Sequence, residues 1–164
     1  MKRDDSFVFG RYLRIVVIAV LSGFTNPAAS SDQSIVRNTT EKAFEDVIFE
    51  LEFAITELNF RITARNQIGK SLRERGYEDI PEIEVIHFCN LEYVLEVVLL
   101  DPGFIAQMPC RITVHTDAQQ TVISFVRLPE NHSNARINEF ARRMNVMMHE
   151  MVDFVLEKDA QKIL

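Results

Sequence analysis

The chain has 164 residues, an apolar fraction of 47% and a formal net charge of −6 at pH 7. That length and composition suit one domain with an ordinary packed core. The acidic balance excludes a tight non-specific grip on nucleic acid, which needs a positive field at the phosphates. No stretch beyond residue 24 is long and pure enough to read as a membrane span.

Residues 1–30 read as a secretory signal. Lys2, Arg3, Arg11 and Arg14 give a positive start diluted by Asp4 and Asp5, residues 15–24 are apolar, and Pro27, Ala28, Ala29, Ser30 and Ser31 offer small residues for cleavage. Cleavage near Ala29–Ser31 is expected because the apolar run is short for a span, an uncut anchor being the alternative. No cysteine follows the run, which disfavours a lipoprotein. The mature chain, residues 31–164, then carries a net charge of −8. It is expected in the periplasm or secreted, without stable membrane insertion after cleavage. Its field would favour cationic or neutral partners, though only weakly.

Within the mature chain, Ile35-Val36-Arg37 suggests a short opening strand. Asn38, Thr39 and Thr40 offer N-caps, with Glu41 as a capping-box partner. Phe44, Val47, Ile48, Leu51, Ala54, Ile55 and Leu58 recur at three and four, the mark of an amphipathic helix, and Phe49 and Phe53 widen its stripe toward a sheet or a second subunit. After Asn59 the pattern turns to alternation, with Phe60, Ile62 and Ala64 apolar as in a half-exposed strand. A short helix over residues 70–75, stopped by Gly76, and a loop through Pro81 follow. Ile83–Cys89 is apolar on both faces apart from Glu84 and His87, as in a central strand covered on both sides. Leu91–Leu100 reads as a helix ended by Asp101-Pro102-Gly103. Residues 110–116 and 121–128 alternate on either side of Asp117-Ala118-Gln119-Gln120, which predicts a hairpin. Ser133 or Asn134 can cap a long last helix with the stripe Ile137, Phe140, Ala141, Met144, Met148, Met151, Val152 and Val155. The order is β-α-β-α-β-α-β-β-α, an α+β domain with a mixed sheet carrying helices.

Phe88-Cys89-Asn90, Asp101-Pro102 and Met108-Pro109-Cys110-Arg111-Ile112-Thr113-Val114 together resemble the signature of the domain-of-unknown-function 302 family. The resemblance covers residues 36–158. Asn59-Phe60 is similar to that family's Gly-Phe step, with Asn for Gly; both tolerate left-handed backbone, so the turn can survive. Leu91 stands where Pro often follows, and Met108 where Leu is usual. The resemblance implies a compact α+β fold, a homodimer and no established enzyme activity.

Several residues are candidates for a site. Cys89 and Cys110 allow three readings: a disulfide across neighbouring strands, two buried thiols acting as small hydrophobes, or a reactive pair used in thiol exchange or sulfur handling. His87 lies two residues before Cys89, so a His/Cys/Cys metal site can be drawn, although a packed structural histidine is the commoner use of such a residue. His115 and Met108 suggest haem ligation, but no attachment motif accompanies them and no cofactor is expected. Met144, Met147, Met148 and Met151 read as core filler, with Met147 off the main stripe as a candidate for a pocket or dimer surface. Asn90 is suited to cap the helix after it and Asp101 to cap a turn. Since the family motif includes Asn90 and Asp101, the expected site for a small ligand or protein partner is formed by Cys89, Asn90, Asp101, Pro109 and Cys110. No serine-hydrolase elbow, phosphate loop, zinc-protease or dinucleotide motif is present, which lowers the odds of an enzyme.

Overall fold

The computed structural model describes residues 35–108 and 110–160, with side chains to residue 157. The signal segment expected over residues 1–30 lies outside them, as does Pro109. In chain order the elements are β1 (Ile35–Thr40), α1 (Phe44–Glu57), β2 (Arg61–Gln67), α2 (Ile68–Arg73), β3 (Ile83–Cys89), α3 (Leu91–Leu100), a 3-10 helix (Pro102–Gln107), β4 (Arg111–Asp117), β5 (Gln120–Val126) and α4 (Ala135–Ala160). The strands form one sheet in the order β1-β5-β4-β3-β2. Every ladder is antiparallel, so the α+β class is as expected but the sheet is not a mixture of directions.

The core lies where α1 and α4 bury their stripes on one face of this sheet. Val47, Leu51 and Ile55 of α1 are fully buried, as are Ile137, Phe140, Ala141, Met151, Val152 and Val155 of α4. The strands answer with Ile86 and Phe88, Ile112 and Val114, and Ile123 and Phe125, which the period of two brings to the same side. Ile83, Val85, His87 and Cys89 on the other face of β3 are only half-buried. The two-sided cover expected for β3 is therefore not found among the described residues. An antiparallel sheet needs helices on one face only.

Three local expectations are also revised. β1 runs on to Thr40, pairing Asn38 with Ile123 and Thr39 with Val122, so these residues cannot cap α1. That helix starts at Phe44 behind Ala43, which makes no side-chain cap. Phe49 and Phe53 face outward at 72% and 46% exposure, and Phe53 stacks on Phe154 of α4 instead of on the sheet. Met147 is partly buried against the core.

Among the described residues, the one charged side chain buried on the core face is Glu84. Arg65 and Gln67 of β2 share that face. Arg65 forks onto Glu84, with Nη2 2.9 Å from Oε2 and Nε on Oε1, and its Nη1 reaches Glu52 of α1 at 2.8 Å. The hydrogen bond to Glu84 raises the Arg65 pKa above its ordinary value, with desolvation opposing it. A buried carboxylate is tolerable only with such a partner, and this one joins the edge of the sheet to α1.

Candidate functional site

The connection from β3 to β4 carries most of the residues singled out from the sequence, and it has two ends that differ in kind. At the first end, α1 closes with Asn59 in left-handed backbone, φ 61°. Phe60 donates its N–H to the Ile55 carbonyl at 3.1 Å across this turn, the wide bond of a Schellman closure. Asn in place of Gly thus keeps the turn. Asn90 then locks it. The Asn90 Nδ2 donates to the Asn59 carbonyl at 2.8 Å, while its Oδ1 accepts from the N–H groups of Glu92 and Tyr93 at 2.9 and 3.3 Å. The helix entry at Leu91 is intact because this cap supplies what the first turn lacks.

Cys89 and Cys110 flank the same corner. The ends of β3 and β4 do meet: Phe88 donates its N–H to the Cys110 carbonyl at 3.0 Å. The ladder pairs His87 with Arg111, so the residue across from Cys110 is Phe88, not Cys89. An offset of one residue turns two side chains to opposite faces of a sheet. Both cysteines are free and half-buried, and the disulfide reading is corrected by that offset. Burial pushes the Cys110 thiol up to about 11, with a smaller upward contribution from Cys89. A thiol so shifted is almost wholly protonated at neutral pH, the reverse of what an attacking thiolate requires.

The other end of the connection opens into a cleft of about 340 Å³, lined by Asp101, Phe104, Gln107, Pro129, His132 and Ser133 with the backbone around them. Asp101 ends α3 and starts the 3-10 helix. Its Oδ1 accepts from the Gly103 N–H at 2.8 Å, and Pro102 fills the first position, where a missing N–H costs nothing. The other oxygen, Oδ2, lies 3.6 Å from Nε2 of His132. His132 is presented rigidly. Asn138 of α4 accepts its backbone N–H at 2.7 Å and donates to its carbonyl at 2.8 Å. The ring stands edge-on to Phe104 with centroids 5.9 Å apart. Nδ1 accepts the Asn134 N–H at 3.1 Å, which places the proton of the neutral ring on Nε2, toward Asp101. With one nitrogen accepting and the other bearing its proton, the neutral ring has no free lone pair for use as a general base.

Of the five residues expected to form the site, Asp101 alone lines this cleft; Cys89, Asn90 and Cys110 do not, and Pro109 lies outside the described residues. His132 was not among the candidates. It sits in a polar loop with no periodic pattern, thirty-one positions after Asp101, and only Asn131-His132-Ser133-Asn134 ahead of a long helix marks a capped helix entry. The metal candidates separate as well. His87 bonds Asn66 at 3.1 Å, and His115 pairs with Ile83 near the far end of β4, whereas Met108 packs against the core. Among the described residues no three His, Cys, Asp or Glu side chains are grouped to hold a metal ion. None of their helices is long and apolar enough to cross a membrane.

Comparison with known proteins agrees with this architecture. The model of the family described as "Domain of unknown function DUF302" matches residues 36–155. No functionally curated protein matches the chain. A solved structure, the "uncharacterized conserved protein DUF302 from Bacillus stearothermophilus", is similar at a TM-score of 0.66 and 15% identity. The similarity covers 74% of this chain and 97% of that one, and at such identity it speaks for the fold alone.

Proposed function

The chain belongs to the DUF302 family, and from that premise we propose that it is an exported, non-catalytic binding domain whose ligand is a small organic cation. The observation that carries this reading is the lining of the Asp101 cleft. Asp101 is the one permanently charged side chain there, and no Lys or Arg accompanies it. Phe104 and Pro129 supply apolar wall, and Gln107 and Ser133 supply polar groups. An ammonium beside the Asp101 carboxylate with an apolar body against Phe104 would satisfy both halves of such a site. A cleft of this size sits at the small end of ligand pockets and suits a molecule of roughly ten heavy atoms. The net charge of −8 over residues 31–164 works in the same direction at long range. The histidine supports binding over catalysis, since its Nδ1 accepts from Asn134 and its Nε2 carries the proton of the neutral ring. The cysteines add nothing to this reading, because Cys110 is held as a neutral thiol.

Benzylamine is a suitable probe, with benzoate as its anionic counterpart. Calorimetry should give saturable binding of benzylamine, no measurable binding of benzoate, and at least a tenfold loss of benzylamine affinity in Asp101→Asn. Asn keeps an oxygen for the Gly103 N–H, so the turn survives while the charge is lost. Equal binding of the two probes, or benzylamine binding unchanged in Asp101→Asn, would overturn the assignment.

A further inference from the structure

Helix α1 carries more apolar surface than its core contact uses. Phe44, Val47, Ile48, Leu51, Ala54 and Ile55 are buried and complete its inner stripe. Phe49 and Phe53 lie outside that stripe, 72% and 46% exposed. Residues four apart follow one line along a helix, so Glu45, Phe49, Phe53 and Glu57 make a single outer ridge, about 18 Å from end to end. Its middle is aromatic and its two ends are exposed carboxylates. Phe53 is held in place by its stack on Phe154 of α4.

The charges around this ridge have one sign. Every charged residue of α1 is acidic. On α4, the exposed Glu150 and Glu157 flank Phe154 at one turn's distance, with Asp153 exposed beside them. Lys158 is the one Lys or Arg in the second half of that helix, and Arg142 and Arg143 lie in its first half, where Arg143 pairs with Glu96 of α3. The cations packed against α1 are taken: Lys42 by Glu50 at 2.8 Å, and Arg65 by Glu84 and Glu52, with only a weaker pull on Glu45. Glu57 stands in the last turn of α1, where the helix dipole is itself negative and no base offsets it.

We propose that this ridge docks a basic amphipathic helix of a second protein, with Arg or Lys at the two carboxylate ends and apolar side chains against Phe49 and Phe53. Charge selects the occupant. A second copy of this chain would set carboxylate against carboxylate, and an anionic lipid surface would be repelled in the same way. A guanidinium is matched twice, by the carboxylates at the ends and by the exposed ring faces between them. The ridge also sets the pattern of its partner: cations about twelve residues apart on a helix, with apolar residues at steps of three and four between them. None of this depends on what fills the Asp101 cleft.

A synthetic helical peptide of that pattern, with arginines at both ends and leucines between, is the probe, and the same peptide with glutamate for arginine is its counterpart. Fluorescence anisotropy with the full chain should give saturable binding of the basic peptide and none of the acidic one. Phe49→Ala leaves every charge in place and exchanges an exposed residue for a better helix former, and it should weaken binding by about tenfold or more. Glu57→Gln should weaken it by about threefold at low salt. Tyr77→Ala, which removes a ring 59% exposed before β3, and Asp101→Asn should each leave the affinity unchanged, so the ridge and the cleft are read separately. Unchanged binding in Phe49→Ala would reduce the effect to the general field of an acidic protein and overturn the proposal. So would equal binding of the two peptides, no saturable binding of the basic one, or an equal loss in Tyr77→Ala.

Discussion

The two ends of the β3–β4 connection draw on the same motif and put it to different uses. At the cysteine corner both side-chain polar atoms of Asn90 are engaged within the fold, by the turn after α1 and by the first turn of α3. At the Asp101 end one carboxylate oxygen closes a turn and the other is left beside a histidine at the wall of a cleft. A residue that a motif singles out is thus not thereby a ligand residue. What separates the two cases is how many of its hydrogen-bonding positions the backbone has already taken.

The contrast predicts that changes at the corner move stability and changes at the cleft move binding. The largest effect is expected for Asn90→Ala, which removes the α3 cap and strands the Asn59 carbonyl. A loss of about 3 kcal/mol should appear in urea unfolding, with the affinity for benzylamine unchanged in the folded protein. A loss below about 1 kcal/mol would break the structural reading of the corner.

Next comes the pH dependence of Cys110. Its folded pKa of about 11 lies above the ordinary 9, so its contribution is fully present below pH 9 and is lost as pH rises from 9 through 11. In that window the unfolded chain releases the thiol proton first, which favours unfolding. The wild type should therefore lose up to about 2 kcal/mol relative to Cys110→Ala between those limits. Parallel stability curves would show that the thiol is not held neutral.

Asp101→Asn is expected to do the opposite of Asn90→Ala, costing less than about 0.5 kcal/mol in stability while lowering benzylamine affinity at least tenfold, or about 1.4 kcal/mol. A control far from both ends gives the smallest effect. Ala118, at the β4–β5 turn, has φ 54°, which L-residues other than Asn and Asp rarely adopt. Ala118→Gly should raise stability by about 0.5 kcal/mol, the relief of backbone strain exceeding the added freedom of the unfolded chain, with no change in binding.

Much of the fold was legible from periodicity. The α4 stripe from Ile137 to Val155 is buried as its spacing of three and four requires, and the hairpin turns where Asp117-Ala118-Gln119-Gln120 interrupts the alternation. Tolerance of left-handed backbone by Asn59 followed from its amide side chain. What was not legible depends on register and on long-range pairing. Nothing in the spacing of Cys89 and Cys110 reveals that the ladder sets Cys110 against Phe88. Asp101 was visible as a turn former, but its neighbour His132 arrives by way of the hairpin and the loop before α4. Periodicity also reports that Phe49, Phe53 and the leucines of α3 are apolar without saying what covers them.

The central claim is that the Asp101 cleft, and not the cysteine corner, is where this domain meets a ligand. The most direct measurement is an amide-resolved NMR titration with benzylamine. The account predicts saturable shifts confined to residues 101–107 and 129–134. Shifts centred on Cys89, Asn90 and Cys110, with the cleft silent, would contradict it.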